Sequence, residues 1–427
     1  MDAVPQDSDK QVTKTSFWTR FKSPKVTIST VLVLIIVLGL VIAVSLFKQS
    51  SKTNKNLPNV TTGCPKDLSG VFAKSFIDPV KILTIRPLGF TDGMEHMLPV
   101  DHTNFVLNAA ADEKVPVYAP TQISITQIAK HTDYRVNGTP FTKESNYMFE
   151  FTICQSALTG WSEFIHQLSP DLQTIWDQVK KTHDEGPLNQ GARAINDTAT
   201  VSITVRAGQL IGYTGVDPSF AFSIYDTRSK PSGVDVSYYG DHPRIVNAIC
   251  FTDLYTGDLK KTLTDKYGYY NSSEDASTRF TPRSIEPKCG QVIQNLNGTV
   301  QGDWFAKHPA RDENLEAEGK TVSFIHNNYD PLITEISIGG NIVPKPQTFS
   351  FKPETAGGVN REFSATKTNE TYCFKDDPVI PAFIFAPTNH DSRVLARLLD
   401  EHHLKIEVQT GDCSGAYDFV NAFTYER

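Results

Sequence analysis

The prediction of the fold depends on residues Val205 to Asp226, which read Val-Arg-Ala-Gly-Gln-Leu-Ile-Gly-Tyr-Thr-Gly-Val-Asp-Pro-Ser-Phe-Ala-Phe-Ser-Ile-Tyr-Asp. Their pattern predicts a strand that ends near Val205, a glycine turn at Ala207-Gly208 and a short strand from Leu210 to Tyr213. After a break at a glycine and a proline, a further strand is predicted from Phe220 to Tyr225. Whether the chain is a catalyst or a binding scaffold depends on the residues that begin this last strand.

An uncharged apolar run lies near the N-terminus, from Val26 to Phe47. It has about the 20 residues that cross a bilayer, whereas the apolar region of a cleaved signal peptide has about 7 to 15. Lysine and arginine are more frequent before the run than after it, which favours a cytoplasmic N-terminus. We therefore expect a cytoplasmic tail (1–25), a transmembrane helix (26–47) that acts as an uncleaved signal anchor, a polar stalk (48–63) and an extracytoplasmic remainder.

Cysteines and glycosylation sequons agree with that topology. All six cysteines follow the apolar run, an even number typical of three disulfides in an oxidising compartment: Cys64, Cys154, Cys250, Cys289, Cys373 and Cys413. The first expected pair is Cys373 with Cys413 and the second is Cys154 with Cys250, although 15 connectivities are formally open. Sequons of the Asn-x-Ser/Thr type also occur only after the run, at Asn59, Asn137, Asn196, Asn271, Asn297 and Asn369.

The part of the chain beyond the apolar run predicts a mainly β protein of two domains, at 64–285 and 286–427. Within the first, Ser169 as N-cap and Pro170 predict the start of a helix, and Arg244 to Asp253 predicts a strand. The second contains about ten short strands separated by turn signals, which predict an antiparallel barrel or sandwich. The net charge of −7 argues against nucleic acid as a partner.

Four segments of the first domain, in order, resemble the lysostaphin-type (LytM-like) zinc metallopeptidases, which share a fold called the duplicated hybrid motif. The segments are Val-Pro-Val-Tyr-Ala-Pro at 115–120, Phe-Ile-His-Gln-Leu-Ser at 164–169, Val-Arg-Ala-Gly-Gln-Leu-Ile-Gly-Tyr-Thr-Gly at 205–215 and Phe-Ser-Ile-Tyr-Asp at 222–226. The resemblance implies a β-rich fold and a zinc site with three protein ligands and an open position for water.

The zinc ligands that the resemblance implies are largely missing. The family uses a His-x-x-x-Asp pair and the second histidine of a His-x-His that precedes the last strand. Asp101 takes the aspartate position, but Met97 stands four residues before it, and Ser219-Phe220-Ala221 replaces the His-x-His. On a strand Phe220 and Phe222 face one side and Ala221 the other, so we expect a filled patch in place of zinc. We therefore expect no metal and no cofactor.

Four polar residues remain as candidates near that position: His96, Asp101, His102 and His166. In one interpretation Asp101 and His102 brace the loop after Pro99 and His166 is a buried structural histidine. In the alternative, the four side chains form a rebuilt metal site. His402-His403 is attributed to a hairpin turn, because neighbouring residues of a strand point to opposite faces.

Two further features leave alternatives open. Gly302-Asp303-Trp304 is similar to the Gly-x-Trp segment of lipocalin barrels, so the second domain could bind a small apolar ligand, or Trp304 could simply close one end of a barrel. The favoured function is a membrane-anchored glycoprotein that binds or scaffolds an extracytoplasmic protein, peptide or glycan with a pseudoenzyme domain. The alternative is a zinc-dependent cell-envelope endopeptidase.

Overall fold

The computed structural model describes residues 64–427 except 92–95, 111–112, 135–145, 188–192, 216–218, 230–232, 241, 272–278, 310–319, 340–341 and 378–390.

Alternating apolar and polar residues build the first sheet. Eight strands lie in the order β1-β2-β11-β6-β5-β4-β9-β8. Their bounds are β1 Ile82–Arg86, β2 Thr103–Leu107, β4 Ile123–Tyr134, β5 Asn146–Ile153, β6 Leu158–Ile165, β8 Thr182–Pro187, β9 Arg193–Val205 and β11 Ser219–Asp226.

Two smaller sheets complete the first half of the chain. One contains β3 (Val115–Tyr118), β10 (Leu210–Thr214) and β7 (Gln167–Leu168), and the other contains β12 (Gly268–Tyr270) and β13 (Phe280–Pro282). Strand β5 illustrates how the large sheet buries one of its faces. Every second side chain from Tyr147 to Ile153 points into the core.

The described residues contain two short α-helices, α1 (Pro170–Gln178) and α2 (Gly257–Thr264). As predicted, Ser169 caps α1 by accepting a hydrogen bond from Leu172 N, with Pro170 at the first helical position. The predicted strand from Arg244 to Asp253 is wrong, because this segment folds into two 3-10 turns, Pro243–Asn247 and Phe251–Leu254.

The transmembrane part of the predicted fold class is corrected. Among the residues that the structure describes, no helix is long and apolar enough to cross a membrane. The two α-helices have nine and eight residues, whereas a crossing helix needs about 20. The predicted helix at 26–47, with the tail and stalk on either side of it, lies outside the described residues. The single-pass localisation is corrected with it, and the structure supports a mainly β chain.

The second large sheet is an eight-stranded antiparallel meander that nearly closes into a barrel. Its strand order is β17-β16-β15-β14-β21-β20-β19-β18. The first and last strands in the sequence, β14 and β21, are therefore hydrogen-bonded neighbours. The bounds are β14 Gly302–Phe305, β15 Thr321–His326, β16 Thr334–Ile338, β17 Gln347–Phe351, β18 Thr371–Lys375, β19 Ser392–Leu398, β20 His403–Thr410 and β21 Phe423–Glu426. Between β17 and β18 the loop at Gly358 and Asn360 exchanges backbone hydrogen bonds with Cys373, which satisfies the edge of β18.

Three disulfides hold the described chain, as the six cysteines predicted: Cys64–Cys154, Cys250–Cys289 and Cys373–Cys413. The expected pair Cys373–Cys413 is confirmed, whereas the expected pair Cys154–Cys250 is wrong. Cys250 instead pairs with Cys289, which lies just beyond the predicted domain boundary at 285. Disulfides of this number are typical of proteins of oxidising compartments.

A close crossing of two backbone segments joins the two halves of the chain. Leu88 N donates to Cys289 O at 2.7 Å, and Asn328 Nδ2 donates to Gly89 O at 2.6 Å. Gly89 has a φ of 76°, and a Cβ at this position would lie 2.1 Å from Gln291 O. Only glycine therefore fits at the crossing.

Replacing Gly89 tests how far the fold depends on this crossing. Gly89→Ala is expected to lower the free energy of unfolding by about 3 kcal/mol, because the new methyl group must displace backbone as well as accept a positive φ. Gly357 is the matched control, since its φ is 81° but a Cβ there meets nothing within 4 Å. Gly357→Ala should cost only about 1 to 2 kcal/mol. Equal losses in chemical denaturation would contradict the role given to the crossing.

Candidate functional site

Strand β11 separates an apolar face from a polar one. Phe220 and Phe222 both point into the core, where their ring centroids are 5.6 Å apart and both rings pack on Phe105. The alternate residues Ser223 and Tyr225 point to the other side, as the period of two predicts. That second face carries the polar contacts of the candidate site.

Asp101 is the centre of those contacts. It lies just before β2, and the Ser223 hydroxyl donates to its backbone carbonyl. Tyr225 Oη donates to Asp101 Oδ2 at 2.5 Å, and His102 Nδ1 lies 3.5 Å from Asp101 Oδ1. The side chain of Asp101 is 16% exposed, so the carboxylate lies below the surface but within reach of solvent. We refer to Asp101, His102, Trp161, Tyr225 and Arg244 as the Asp101 cluster.

The outer members of the Asp101 cluster lie around Tyr225. Trp161 Nε1 donates to Tyr225 Oη at 2.7 Å, and Arg244 Cζ lies 5.1 Å from the centroid of the Tyr225 ring. Arg244 Nη2 also pairs with Glu150 Oε1 at 3.3 Å at the surface. A chain of donors thus runs from the indole through the phenol to the buried carboxylate.

Electrostatics keep Asp101 ionised. Burial raises the pKa of Asp101, but the hydrogen bond and the charge of His102 and the hydrogen bond from Tyr225 lower it, and the resulting pKa lies below its usual value. Burial and the negative charge of Asp101 raise the pKa of Tyr225 well above its usual value. At neutral pH the proton therefore stays on Tyr225, which acts as a donor to the Asp101 carboxylate.

The structure brings three of the four candidate residues together. The rings of His96 and His102 have centroids 5.3 Å apart, and Phe90 packs edge-on against both. His166 is only partly buried, and it follows β6, where its backbone N–H donates to Tyr213 O of β10. Within the described part of the chain, no three His, Cys, Asp or Glu side chains are arranged to hold a metal ion.

Packed side chains occupy both positions at which the resemblance leads one to expect histidine. Met97 is 1% exposed, and the hydroxyl of Ser337 on β16 lies 4.0 Å from its sulfur. Ala221 is also 1% exposed and lies in register between Asn104 of β2 and Glu163 of β6. Strand β16 of the second sheet thus covers the position of Met97.

The other predicted site residues have mixed outcomes. His402 and His403 form the hairpin turn that was predicted, because Asp400 accepts from His402 N at 2.8 Å and its carboxylate meets His403 Nδ1. Among the sequons, Asn59 and Asn137 lie outside the described residues. Asn297 and Asn369 are exposed, whereas Asn196 is partly buried with its Oδ1 2.6 Å from His131 Nδ1.

A second buried carboxyl, Asp303 of β14, ties the barrel-like sheet to the segment before it. Tyr239 Oη donates to Asp303 Oδ2 at 2.9 Å and Ser323 Oγ donates to Asp303 Oδ1 at 2.7 Å. The residue is 1% exposed. Burial raises the pKa of Asp303 to about 6, although the two hydrogen bonds and the charge of Arg427 act in the opposite direction.

Sequence reasoning missed Trp161, Tyr225, Arg244 and Glu150 as members or neighbours of the site. One signal was present, because Ser223 and Tyr225 share the face of Ala221 by the two-residue period. Trp161 and Arg244 carried no local signal.

In comparisons with known proteins, no protein family, curated protein or solved structure matches this chain.

The Tyr225 hydroxyl can be removed without changing the ring. Tyr225→Phe is expected to lower the free energy of unfolding at neutral pH by about 1 to 3 kcal/mol, because the buried carboxylate loses a donor. The lowered pKa of Asp101 contributes stability above the unfolded pKa of about 4, and this contribution is lost as pH falls. The difference between wild type and variant should therefore shrink below about pH 4 in pH-dependent denaturation. Tyr417→Phe, which loses a bond to the carbonyl of Cys413, should show no such trend.

Asp303 gives a pH dependence of the opposite sign. With a folded pKa of about 6, the folded state holds this proton more tightly than the unfolded state does. Stability should therefore fall as pH rises from about 4 to about 6, by at most about 3 kcal/mol. Asp303→Asn should remove this fall, and Ser323→Ala should extend it to higher pH, because one bond that lowers the pKa is lost. Identical pH profiles for wild type and Asp303→Asn would contradict the assignment.

Proposed function

We propose that this chain is a non-catalytic binding or scaffolding protein of an oxidising compartment, built on a metallopeptidase-like β domain. One observation carries the proposal. The two positions that would supply histidine ligands hold Met97 and Ala221, each 1% exposed. A hydrolytic zinc ion needs three protein ligands and an open position for water, and tight packing at these two positions leaves room for neither.

The contacts of Asp101 support the same proposal. Oδ2 of Asp101 accepts from Tyr225, and Oδ1 faces His102. These two neighbours stabilise the negative charge of Asp101 without a metal, which is the arrangement expected of a structural or ligand-binding carboxylate.

The Asp101 cluster also offers a surface on which a partner could bind. Trp161 is half-buried, and the side chain of Arg244 is 46% exposed beside that of Glu150. Tryptophan and arginine are the residues that dominate binding energy at protein interfaces. A protein, peptide or glycan is the expected class of partner, and the three disulfides supply the rigidity that lowers the entropy cost of binding.

A zinc endopeptidase with a rebuilt site is the second candidate. The specific observation in its favour is the distance of 5.3 Å between the ring centroids of His96 and His102, with Asp101 next to His102. A carboxylate behind a histidine is the usual support of a metal ligand. With Asp101 the candidate ligands number three, but no three His, Cys, Asp or Glu side chains of the described residues are arranged to hold a metal ion.

Binding of a small apolar ligand inside the barrel-like sheet is less well supported. Its interior is occupied by aromatic side chains, and the rings of Phe324, Phe351, Phe363 and Phe374 lie 5.3 to 5.9 Å from one another. These rings fill the space in which such a ligand would lie.

Metal analysis separates the first two candidates. After exposure to zinc and gel filtration, the purified protein is expected to carry zinc well below one ion per chain and to leave peptide substrates intact. His183→Ala is the matched control, because His183 forms an exposed histidine–aspartate pair with Asp197 at 2.9 Å. One zinc per chain that Asp101→Ala or His166→Ala abolishes, and that His183→Ala leaves in place, would overturn the proposal.

A further inference from the structure

A cavity of about 150 Å³ lies beside the barrel-like sheet and shares no lining residue with the Asp101 cluster. Its walls come from three parts of the chain: the segment around Tyr238 and Tyr239, the residues around β14, and the β19–β20 turn with Glu401. The volume is about that of five water molecules in the liquid. The cavity therefore suits a ligand of a single ring.

Aromatic side chains form one wall. Tyr239 and Phe305 are each 1% exposed and pack against each other with ring centroids 5.3 Å apart. Tyr238 is half-buried between Phe305 at 5.4 Å and His308 at 4.6 Å. Tyr239 and Phe305 therefore hold Tyr238 in place, and Tyr238 is the aromatic side chain of this wall that a ligand can reach.

Hydrogen-bonding groups form the rim. Asp235, Asn297 and Glu401 all line the cavity and are exposed to solvent. The two carboxylates accept hydrogen bonds, and the amide of Asn297 both donates and accepts. A ligand with several hydroxyl groups matches this set, because each hydroxyl can donate to a carboxylate or pair with the amide.

Charge disfavours anionic ligands. Arg427 is the one cation of fixed charge among the lining residues, and the bonds that it donates to carbonyls use four of its five N–H groups: Nε to Glu401, Nη1 to Gln301, and Nη2 to Leu296 and Thr299. An anion would therefore meet one remaining N–H of Arg427 and would be repelled by both Asp235 and Glu401. The two carboxylates outnumber the guanidinium, so a ligand without negative charge meets no such repulsion.

We propose that this cavity binds one sugar ring that carries no negative charge, with the ring against the exposed part of Tyr238 and its hydroxyls on Asp235, Asn297 and Glu401. Two sources could supply the ring. Asn297 heads the sequon Asn297-Gly298-Thr299, so the ring could be the first sugar of a glycan attached to Asn297 itself. Otherwise it belongs to a separate saccharide. The proposal concerns a different surface from the Asp101 cluster and stands or fails independently of it.

Three probes of the same ring shape test the charge argument. Protein from a host that adds no glycans is titrated with N-acetylglucosamine, glucosamine and glucuronate, which are neutral, cationic and anionic at neutral pH, and binding is followed by ligand-observed NMR. The neutral and cationic rings are expected to bind with a Kd on the order of a millimolar, and the anionic ring at least tenfold more weakly. Absence of binding by the neutral ring, or equal binding by the anionic one, overturns the proposal.

Variants then locate the binding. Asn297→Ala and Glu401→Ala should each raise the Kd for N-acetylglucosamine about fivefold, the usual effect of one lost hydrogen bond. Asn421→Ala, an exposed asparagine outside the cavity, should leave it unchanged. If the two cavity variants bind as well as Asn421→Ala does, the ring lies elsewhere and the proposal is wrong.

Protein from a glycosylating host distinguishes the two sources. If the ring is carried on Asn297, peptide mapping shows that residue modified and free N-acetylglucosamine no longer binds, because the cavity is filled. If the ring belongs to a separate saccharide, the free sugar binds this protein as it binds the unmodified one. Both results support a sugar site, since each requires the cavity to accept a neutral ring.

Discussion

The side-chain amide of Asn328 joins backbone segments that belong to the two halves of the described chain. Its Nδ2 donates to Gly89 O and Gln291 O, and its Oδ1 accepts from Gln291 N. The residue is 2% exposed, so an unmade hydrogen bond there would cost free energy that solvent could not restore. The close approach itself is possible only because Gly89 has no side chain. The crossing acts together with the contacts of Tyr239 with Asp303 and of Met97 with Ser337 to fix the two large sheets relative to each other.

The candidate site depends on that crossing. The chain continues from Gly89 through Phe90 to the loop of Met97 and Asp101, and Tyr329, next to Asn328, packs on Phe90 with a centroid distance of 6.2 Å. Strands β15 and β16 are buried on both faces, because one face lines the interior of the barrel-like sheet and the other contacts this loop. The second sheet therefore fixes the position of Asp101, although it contributes no residue to the Asp101 cluster.

Local patterns in the sequence predict the local part of this structure. The alternation from Tyr147 to Ile153, the N-cap at Ser169 and the turn at Asp400 each depend on residues a few positions apart, and each is found. The contacts of the site are not local, since Tyr225 meets Trp161 and Asp101 across 64 and 124 residues. The same limit explains the disulfides. Cys373 of β18 and Cys413, in the connection between β20 and β21, both belong to the second half of the chain and could be paired, whereas Cys250–Cys289 depends on how the two halves cross.

Two buried aspartates of this chain have pKa values shifted in opposite directions for a physical reason. Asp303 is 1% exposed and receives its hydrogen bonds from hydroxyl groups, so burial prevails and its pKa rises to about 6. Burial also raises the pKa of Asp101, but the hydrogen bond and charge of His102 and the hydrogen bond from Tyr225 outweigh it, so the pKa of Asp101 falls instead. A carboxyl that serves only to join two segments does not need its charge at every pH. Asp101 keeps its charge at neutral pH beside the partly exposed side chains of Trp161 and Arg244, and the proposed binding surface depends on that charge.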